Sequence, residues 1–138
     1  MIRHTIVDAG PLVALLRESD EHHAWAANML SGGEPPYQTC EAVVTEACFI
    51  LHRTARGTER AAIELLDSGC LAVSFSLQQE AQRVEELMRQ YASVPMSLAD
   101  ACVVRMSELH SNCLVVTFDT DFHIYRRYGR QSIPLLMP

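Results

Sequence analysis

Leu114-Val115-Val116-Thr117-Phe118 has the strongest strand signal in the chain, a continuous apolar run rich in β-branched residues. Thr5-Ile6-Val7 is a second such run and Cys70 to Phe75 a third, and helical segments separate them. Ile133-Pro134-Leu135-Leu136 adds an edge strand, since proline cannot donate to a ladder. Continuous apolar strands alternating with helices indicate a parallel sheet covered on both faces. We predict an α/β fold, a three-layer α/β/α sandwich with a central parallel sheet of four or five strands.

Start and stop signals place helices between the strands. Ser76 and Gln79 have capping-box spacing, and Ser97 and Asp100 have the related Ser-x-x-acid spacing, so both serines are predicted helix caps. The predicted helices run from Gly10-Pro11 to about Arg17, from Ser19 or Asp20 to near Gly32-Gly33, from Thr39 to about Thr54, from Gly57-Thr58 to Gly69, from Ser76 to about Tyr91, from Ser97 to about His110, and from about Phe122 to Tyr128.

Length and composition fit a single domain, which we predict to span residues 1–138. Apolar residues make up 49% of the chain and charged residues 20%, so a buried core is expected. No uncharged run reaches the roughly 18 residues of a membrane span, and Asp8 interrupts the apolar segment that a signal peptide would need. We therefore expect a soluble cytoplasmic protein.

The charge balance excludes several functions. The chain has 17 acidic and 11 basic residues, a net charge of −6, and all 11 basic residues are arginine. Without lysine there is no Schiff-base, P-loop or phospho-receiver lysine. The acidity argues against a protein that simply coats nucleic acid, but a metal-dependent nuclease remains compatible with it.

The five cysteines are odd in number and none has Cys-x-x-Cys spacing. Neither a disulfide framework nor a zinc knuckle is therefore indicated. Most of them lie among apolar residues, as expected of reduced core thiols in a reducing compartment.

Acidic residues follow two of the predicted strands. Asp8 ends the first strand, and Asp119 ends the Leu114–Phe118 strand with Asp121 two residues on. In parallel α/β sheets the functional crevice lies beyond the carboxyl ends of the strands, which makes these residues candidates for function. For either strand-end aspartate alone, a turn or a helix cap is an equally good explanation.

Two further acids lie on predicted helices. Glu46 has only apolar residues three and four positions away, which predicts a core-facing stripe and a desolvation cost unless the carboxylate is paired, protonated or metal-bound. These neighbours are Ala42, Val43, Phe49 and Ile50. The alternative is a side chain that extends to the edge of the stripe. Asp100 lies in the first turn of its helix, where the dipole favours an anion with or without a further role.

The four acids Asp8, Glu46, Asp100 and Asp119 are predicted to converge on one rim of the sheet. Converging carboxylates need a cation, and ligation by oxygen alone suits Mg²⁺ or Mn²⁺ better than zinc.

Four segments match a known family in their order and spacing. They are Ile6 to Leu16, Thr39 to Leu51 around Val44-Thr45-Glu46, Ser97 to Ala101, and Thr117 to Phe122. With these segments the chain resembles the PIN-domain ribonucleases, the family that includes the VapC-type toxins of bacterial toxin–antitoxin pairs. The resemblance covers nearly the whole chain.

The resemblance implies which residues act. By position, Asp8, Glu46, Asp100 and Asp119 match the family's catalytic, metal-binding acids, and Asp121 matches a more variable auxiliary metal ligand. Many members have Ser or Thr just after the first aspartate, where this chain has Ala9 and Gly10. The supporting hydroxyl would then come from elsewhere, with Thr117 or Thr120 as candidates.

The resemblance also implies an activity and partners. It implies an endoribonuclease that uses Mg²⁺ or Mn²⁺ and leaves 5′-phosphate and 3′-hydroxyl ends, with RNA as substrate and an antitoxin protein as partner. A homodimer is expected as well, because the first two helices and the Leu77–Tyr91 segment carry more apolar positions than one core needs.

Three arginines closely follow the last acidic motif and are candidate contacts for RNA phosphates. They are Arg126, Arg127 and Arg130. A solvated helix end is the alternative explanation for such a run.

Two other functions stay open. One is a catalytically weak PIN-like module that binds RNA or protein, with the missing hydroxyl as its sign. The other is a metal-dependent phosphatase or hydrolase with a small-molecule substrate, since α/β folds host many chemistries.

Overall fold

A parallel β-sheet forms the centre of the protein. The structure is a computed structural model that describes residues 3–138. Within them the strands are β1 (His4–Val7), β2 (Tyr37–Thr39), β3 (Leu71–Val73), β4 (Cys113–Val116), β5 (Arg126–Arg127), β6 (Gln131–Ser132) and β7 (Leu135–Leu136). The central sheet has the order β3-β2-β1-β4-β7 with parallel neighbours throughout, while β5 and β6 form a separate antiparallel pair.

Helices cover both faces of this sheet, so the predicted α/β/α sandwich is confirmed, with five strands at its centre. The helices are α1 (Ala9–Leu16), α2 (His23–Gly32), α3 (Glu41–Thr54), α4 (Glu59–Asp67), α5 (Leu77–Gln90) and α6 (Leu98–Leu109), with a short 3₁₀ helix at Thr120–His123. Nowhere in residues 3–138 does a helix have the length and apolarity to cross a membrane.

The two central strands, β1 and β4, explain the apolar runs in the sequence. Their register pairs Ile6 with Val115 and Val7 with Val116, and all four residues are almost completely buried. Because helices cover both faces, neither face of these strands requires polar side chains. The edge strand predicted around Pro134 is confirmed as β7, at one end of the sheet.

Two helix starts follow the predicted capping signals. The Ser76 hydroxyl accepts a hydrogen bond from the Gln79 amide at 3.2 Å and caps α5. The Ser97 hydroxyl accepts from the Asp100 amide at 3.0 Å, and the Asp100 carboxylate accepts from the Ser97 amide at 3.3 Å. This reciprocal capping box begins α6 and fixes where Asp100 lies.

The predicted start of α2 is wrong. The helix begins at His23 and not directly after Ser19 or Asp20. The Asp20 carboxylate instead accepts a hydrogen bond from the His22 amide at 2.9 Å and forms an ion pair with Arg17. Its capping capacity is therefore used in the turn that precedes the helix.

Thr39 is not the cap of α3, contrary to the prediction. It is the last residue of β2, and the capping position belongs to Cys40. The buried Thr39 hydroxyl donates to the Val7 carbonyl at 3.1 Å. It therefore ties β2 to β1 rather than starting a helix.

The predicted helix from Phe122 to Tyr128 is also wrong. The 3₁₀ helix ends at His123, and β5 follows it. Tyr128 and Gly129 have positive φ angles of 55° and 81°, which turn the chain back into β6. The strand before this segment is shorter than predicted, because β4 ends at Val116 rather than Phe118.

The cysteines match the expectation of reduced thiols. All five are free, and Cys40, Cys102 and Cys113 are buried.

Candidate functional site

The carboxyl ends of β1 and β4 bring Asp8 and Asp119 to one edge of the sheet. Asp8 directly follows β1, and its amide donates to the Val116 carbonyl at 3.0 Å. Asp119 comes three residues after β4 ends. The chain builds the sheet first on one side of β1 and then on the other, so this edge is the switch point where such sheets form a crevice.

A cleft of about 300 Å³ opens at this edge. Glu46 reaches it from α3, and Asp100 from the first turn of α6. The structure thus brings the four acids singled out in the sequence to one cleft. Among the described residues, those lining the cleft include no arginine or histidine; they are Asp8, Ala9, Gly10, Glu46, Ile50, Asp100, Phe118 and Asp119.

Asp8 is the most deeply buried of these acids, with 6% of its surface exposed. Burial raises its pKa from the ordinary 3.8 to about 6. Hydrogen bonds from the Thr117 hydroxyl and the Ala9 amide oppose this rise, while the charges of Asp100 and Glu46 add to it. The buried carboxylate therefore lacks the cationic partner that would keep its pKa low.

The carboxylates of Asp100 and Glu46 are also disfavoured as anions. Burial raises the pKa of Asp100 despite its bonds to Tyr125 and Ser97, and Asp119 adds repulsion. The pKa of Glu46 is raised by partial burial and by the charges of Asp100 and Asp119.

Thr117 supplies the supporting hydroxyl that Ala9 and Gly10 cannot. Its side chain is fully buried and donates to Asp8 Oδ2 at 2.7 Å, while its oxygen accepts from the Asp119 amide at 3.0 Å. Of the two threonines considered from the sequence, Thr120 has an exposed position and Thr117 makes the contact.

The aromatic ring of Phe118 accounts for the glycine at position 10. A β-carbon on Gly10 would lie 3.1 Å from the ring. A Ser or Thr there would need the ring to move. The ring is itself held by His22 and Trp25, with centroid distances of 4.8 and 5.7 Å.

The expectation that Glu46 lies on a core-facing stripe is wrong. The core face of α3 is formed by Val43, Ala47 and Leu51, each fully buried, whereas Glu46 is exposed and Phe49 is 62% exposed. The apolar neighbours of Glu46 therefore belong largely to a surface beside the cleft.

This surface is an apolar groove of about 470 Å³ between α3 and the start of α6. Phe49 and Leu98 are the large apolar side chains on it, and Glu46 lies on both the groove and the acidic cleft. The acidic cleft thus continues into an apolar surface.

Asp121 lies beside the cleft and not in its lining. Its amide donates to Asp119 Oδ1 at 2.9 Å, so Asp119 caps the 3₁₀ helix while it borders the cleft.

The three candidate RNA-binding arginines have different surroundings. Arg127 Nη1 donates to the carbonyls of Ser107 and Ser111 at the end of α6, at 3.1 and 3.0 Å, so its guanidinium is part of the fold. Arg126 donates to backbone carbonyls of its own segment, and Arg130 is exposed.

Tyr125 was not identified from the sequence. It is fully buried, and its hydroxyl donates to Asp100 Oδ2 at 2.9 Å. Burial and the bond to Asp100 raise the pKa of Tyr125, which keeps the hydroxyl a proton donor. The two residues are 25 positions apart, and no motif spacing connects them.

The donor set fits a hard divalent cation. Within residues 3–138, no three acidic, histidine or cysteine side chains stand close enough together to form a ready-made ion site. Carboxylate oxygens are the preferred ligands of Mg²⁺ and Mn²⁺.

Comparisons with known proteins agree with this architecture. The family model of the PIN domain matches residues 5–128. VapC20 of Mycobacterium tuberculosis, a sarcin–ricin loop cleaving toxin, superposes with a TM-score of 0.79 at 21% identity, over 92% of this chain and 98% of that one. VapBC2 from Rickettsia felis, bound to a DNA fragment from its promoter, gives a TM-score of 0.63 at 9% identity, over 97% and 98%. None of the curated proteins compared matches the chain.

Proposed function

The chain belongs to the PIN domain family, and on that premise we propose that it is a divalent-metal-dependent endoribonuclease, the toxin of a toxin–antitoxin pair. The cleft carries the proposal: four carboxylates from four separate segments surround it, and none of the described residues that line it is cationic. The similar fold of VapC20, a toxin that cleaves the sarcin–ricin loop, supports RNA as the substrate.

Asp8, Glu46, Asp100 and Asp119 would hold the ion, Mg²⁺ or Mn²⁺, with Asp121 beside them. A bound ion supplies a water of lowered pKa and neutralises charge on the phosphodiester. The protein's own part is to hold the carboxylates in place around the cleft, as the Thr117 hydroxyl does for Asp8. Such a site needs no side-chain nucleophile.

Cleavage of labelled RNA tests the proposal. We expect the wild type to cut RNA with Mn²⁺ or Mg²⁺, to be inactive with a chelator, and to leave 5′-phosphate ends. Asp8→Asn removes one carboxylate at nearly constant shape and should slow cleavage on the order of 100-fold or more.

Asp67→Asn is the matched control, because Asp67 is exposed at the end of α4, outside the cleft. It should cut RNA as the wild type does. Cleavage that survives exhaustive chelation, or cyclic-phosphate products, would refute the mechanism. Hydrolysis of a generic phosphate ester without RNA cleavage would instead support the small-molecule hydrolase.

The main argument for the alternative function, a catalytically weak binding module, no longer applies. It rested on the absent hydroxyl at Ala9 and Gly10, and the Thr117 hydroxyl contacts Asp8. RNA binding with no cleavage at any Mn²⁺ concentration would revive it.

The proposal includes an antitoxin that covers apolar surface next to the cleft. Phe49 and Leu98 are 62% and 42% exposed in the groove that shares Glu46 with the cleft. If the chain is a toxin, expressing it alone should arrest growth, and co-expressing the product of an adjacent small gene should relieve the arrest.

We also propose a homodimer. Apolar side chains remain exposed on several helices, among them Ile63 on α4 and Leu77 on α5, which are 52% and 41% exposed. Light scattering at tens of micromolar protein tests this, and a monomeric mass would contradict it.

A further inference from the structure

Tyr125 is a buried residue whose hydroxyl contacts Asp100, one of the acids lining the cleft. Its side chain is fully buried, and its ring packs edge-on against Tyr91 and Phe122 with centroid distances of 5.1 Å to each. The hydroxyl lies 2.9 Å from Asp100 Oδ2. The ring is therefore fixed on two sides, and the direction of its hydroxyl is fixed with it.

The Asp100 carboxylate is held on one oxygen. Oδ2 accepts from the Tyr125 hydroxyl and, at 3.3 Å, from the Ser97 amide. Asp100 itself lines the cleft. Two donors on one oxygen restrict rotation of the carboxylate.

Tyr125 also connects two of the acid-bearing segments. The Asp121 amide donates to Asp119 Oδ1 at 2.9 Å, and the Tyr125 amide donates to the Asp121 carbonyl at 3.2 Å. The Tyr125 hydroxyl then reaches Asp100. A short chain of hydrogen bonds thus runs from one cleft carboxylate to another.

We propose that Tyr125 is a positioning residue that presents Asp100 to the divalent ion and sets its spacing from Asp119. This inference rests on the proposed function, because it requires the cleft to bind a cation. The class of ligand is a hard divalent ion such as Mn²⁺.

The test is Tyr125→Phe, which removes the hydroxyl and keeps the ring. Mn²⁺ binding to the full chain is measured by isothermal titration calorimetry without RNA. Residues that orient a metal ligand typically change metal affinity 10–100-fold, and we expect the Kd for Mn²⁺ to rise by roughly this factor. RNA cleavage should be restored towards the wild-type rate as Mn²⁺ is raised.

Tyr37→Phe is the matched control. Tyr37 is also buried, at 2% exposure, and its hydroxyl donates to the Leu30 carbonyl at 2.6 Å, away from the cleft. Losing this hydroxyl should leave the Kd for Mn²⁺ unchanged. Any general effect of removing a buried tyrosine hydroxyl would appear in both variants.

Each result of the Mn²⁺ binding experiment supports or refutes the positioning role of Tyr125. If Tyr125→Phe binds Mn²⁺ within twofold of the wild type while Asp100→Asn loses binding, the positioning role is refuted. A Tyr125→Phe protein too unstable to purify also refutes it, since the hydroxyl would then hold the fold. Wild type that binds no Mn²⁺ overturns both this inference and the proposed function. Wild type that binds Mn²⁺ but cuts no RNA overturns only the proposed function, provided Tyr125→Phe loses affinity.

Discussion

Two buried carboxylates in this protein, Glu108 and Asp8, have pKa values shifted in opposite directions. The Glu108 side chain is 2% exposed and accepts hydrogen bonds from Arg83, Arg105 and the Tyr128 amide. Burial would raise its pKa, but these donors together lower it. Asp8 has one hydroxyl donor, and its pKa rises to about 6.

The contrast separates an acid that arginines pair within the fold from an acid that lines an open cleft. Glu108 and its arginines fasten α5 to α6, and the Tyr128 contacts fasten the β5–β6 turn to α6. The chain therefore has arginines for pairing buried acids, but none of them lines the acidic cleft. On the proposed function, a cation from solution would be the partner of the cleft carboxylates.

The largest expected effect is the loss of stability when Glu108, the acid paired with arginines, is neutralised. Glu108→Gln leaves Arg83 and Arg105 without their shared carboxylate, and the free energy of unfolding should fall by about 3 kcal/mol. The low end of the range applies because both arginines remain about a quarter exposed, at 26% and 25%. Urea unfolding measures this, and added Mn²⁺ should stabilise the variant as much as the wild type.

Glu85→Gln is its control, since Glu85 pairs with Arg89 on the exposed face of α5. It should have no measurable effect on stability. A Glu108→Gln variant as stable as Glu85→Gln would mean that the Glu108 network contributes nothing net to the fold.

The two acids should also respond to pH with opposite signs. Because the pKa of Asp8 is raised in the fold, its contribution to stability is present below its ordinary pKa of 3.8 and is lost as pH rises through about 6. The lowered pKa of Glu108 gives a contribution present above its ordinary 4.5 and lost at lower pH.

Comparing wild type with Asp8→Asn isolates the Asp8 contribution. In metal-free protein, the difference in unfolding free energy between the two should shift by about 2 kcal/mol between pH 4 and pH 7, in favour of the variant at the higher pH. Urea unfolding at several pH values measures it. A constant difference across this range would show that Asp8 titrates normally.

Removing the hydroxyl donor of Asp8 should widen the difference between the two acids. Thr117→Val deletes the bonds to Asp8 Oδ2 and from the Asp119 amide, and should cost about 1–2 kcal/mol of stability. It should also raise the pKa of Asp8 further. Thr117→Ser keeps the hydroxyl and should retain most of the stability, so equal losses in both variants would point to packing of the methyl group instead.

The smallest expected effect is that Mn²⁺ reverses the order of stability of the wild type and Asp8→Asn at neutral pH. Asp8→Asn in chelator should stabilise the protein by about 1 kcal/mol, because it removes one of several repelling charges. With saturating Mn²⁺ the wild type should become the more stable protein, since it gains binding free energy that the variant largely loses.

Thermal melts with and without Mn²⁺ measure this reversal, with Asp67→Asn as the unaffected control. If Asp8→Asn lowers stability in chelator and Mn²⁺ shifts every variant equally, Asp8 is a structural residue and the cleft is not a metal site.

Local signals predicted the parts of the fold that depend on local chemistry. Apolar runs located β1 and β4, and the serine caps located the starts of α5 and α6. The errors arose where a polar side chain had a competing partner. Thr39 bonds to Val7 in the next strand, and Asp20 caps a turn, and neither partner is visible in spacing alone.

The candidate site likewise has residues that the sequence predicted and residues that it did not. Asp8 and Asp119 were predictable because strand ends in a parallel sheet share one edge. The arrangement around Glu46 was not, because its apolar neighbour Phe49 lies on the surface. Tyr125 contacts Asp100 only through the path of the chain after β4, which no periodicity specifies.

The position of Asp8 in the sheet ladder links the cleft to amide hydrogen exchange. Its N–H is bonded to the Val116 carbonyl between the two central strands. An amide at the centre of a sheet exchanges through the largest opening of the protein rather than through local fluctuation. We therefore expect the backbone of the cleft to open together with the core of the fold, so that an ion bound at the cleft would slow exchange throughout the central strands.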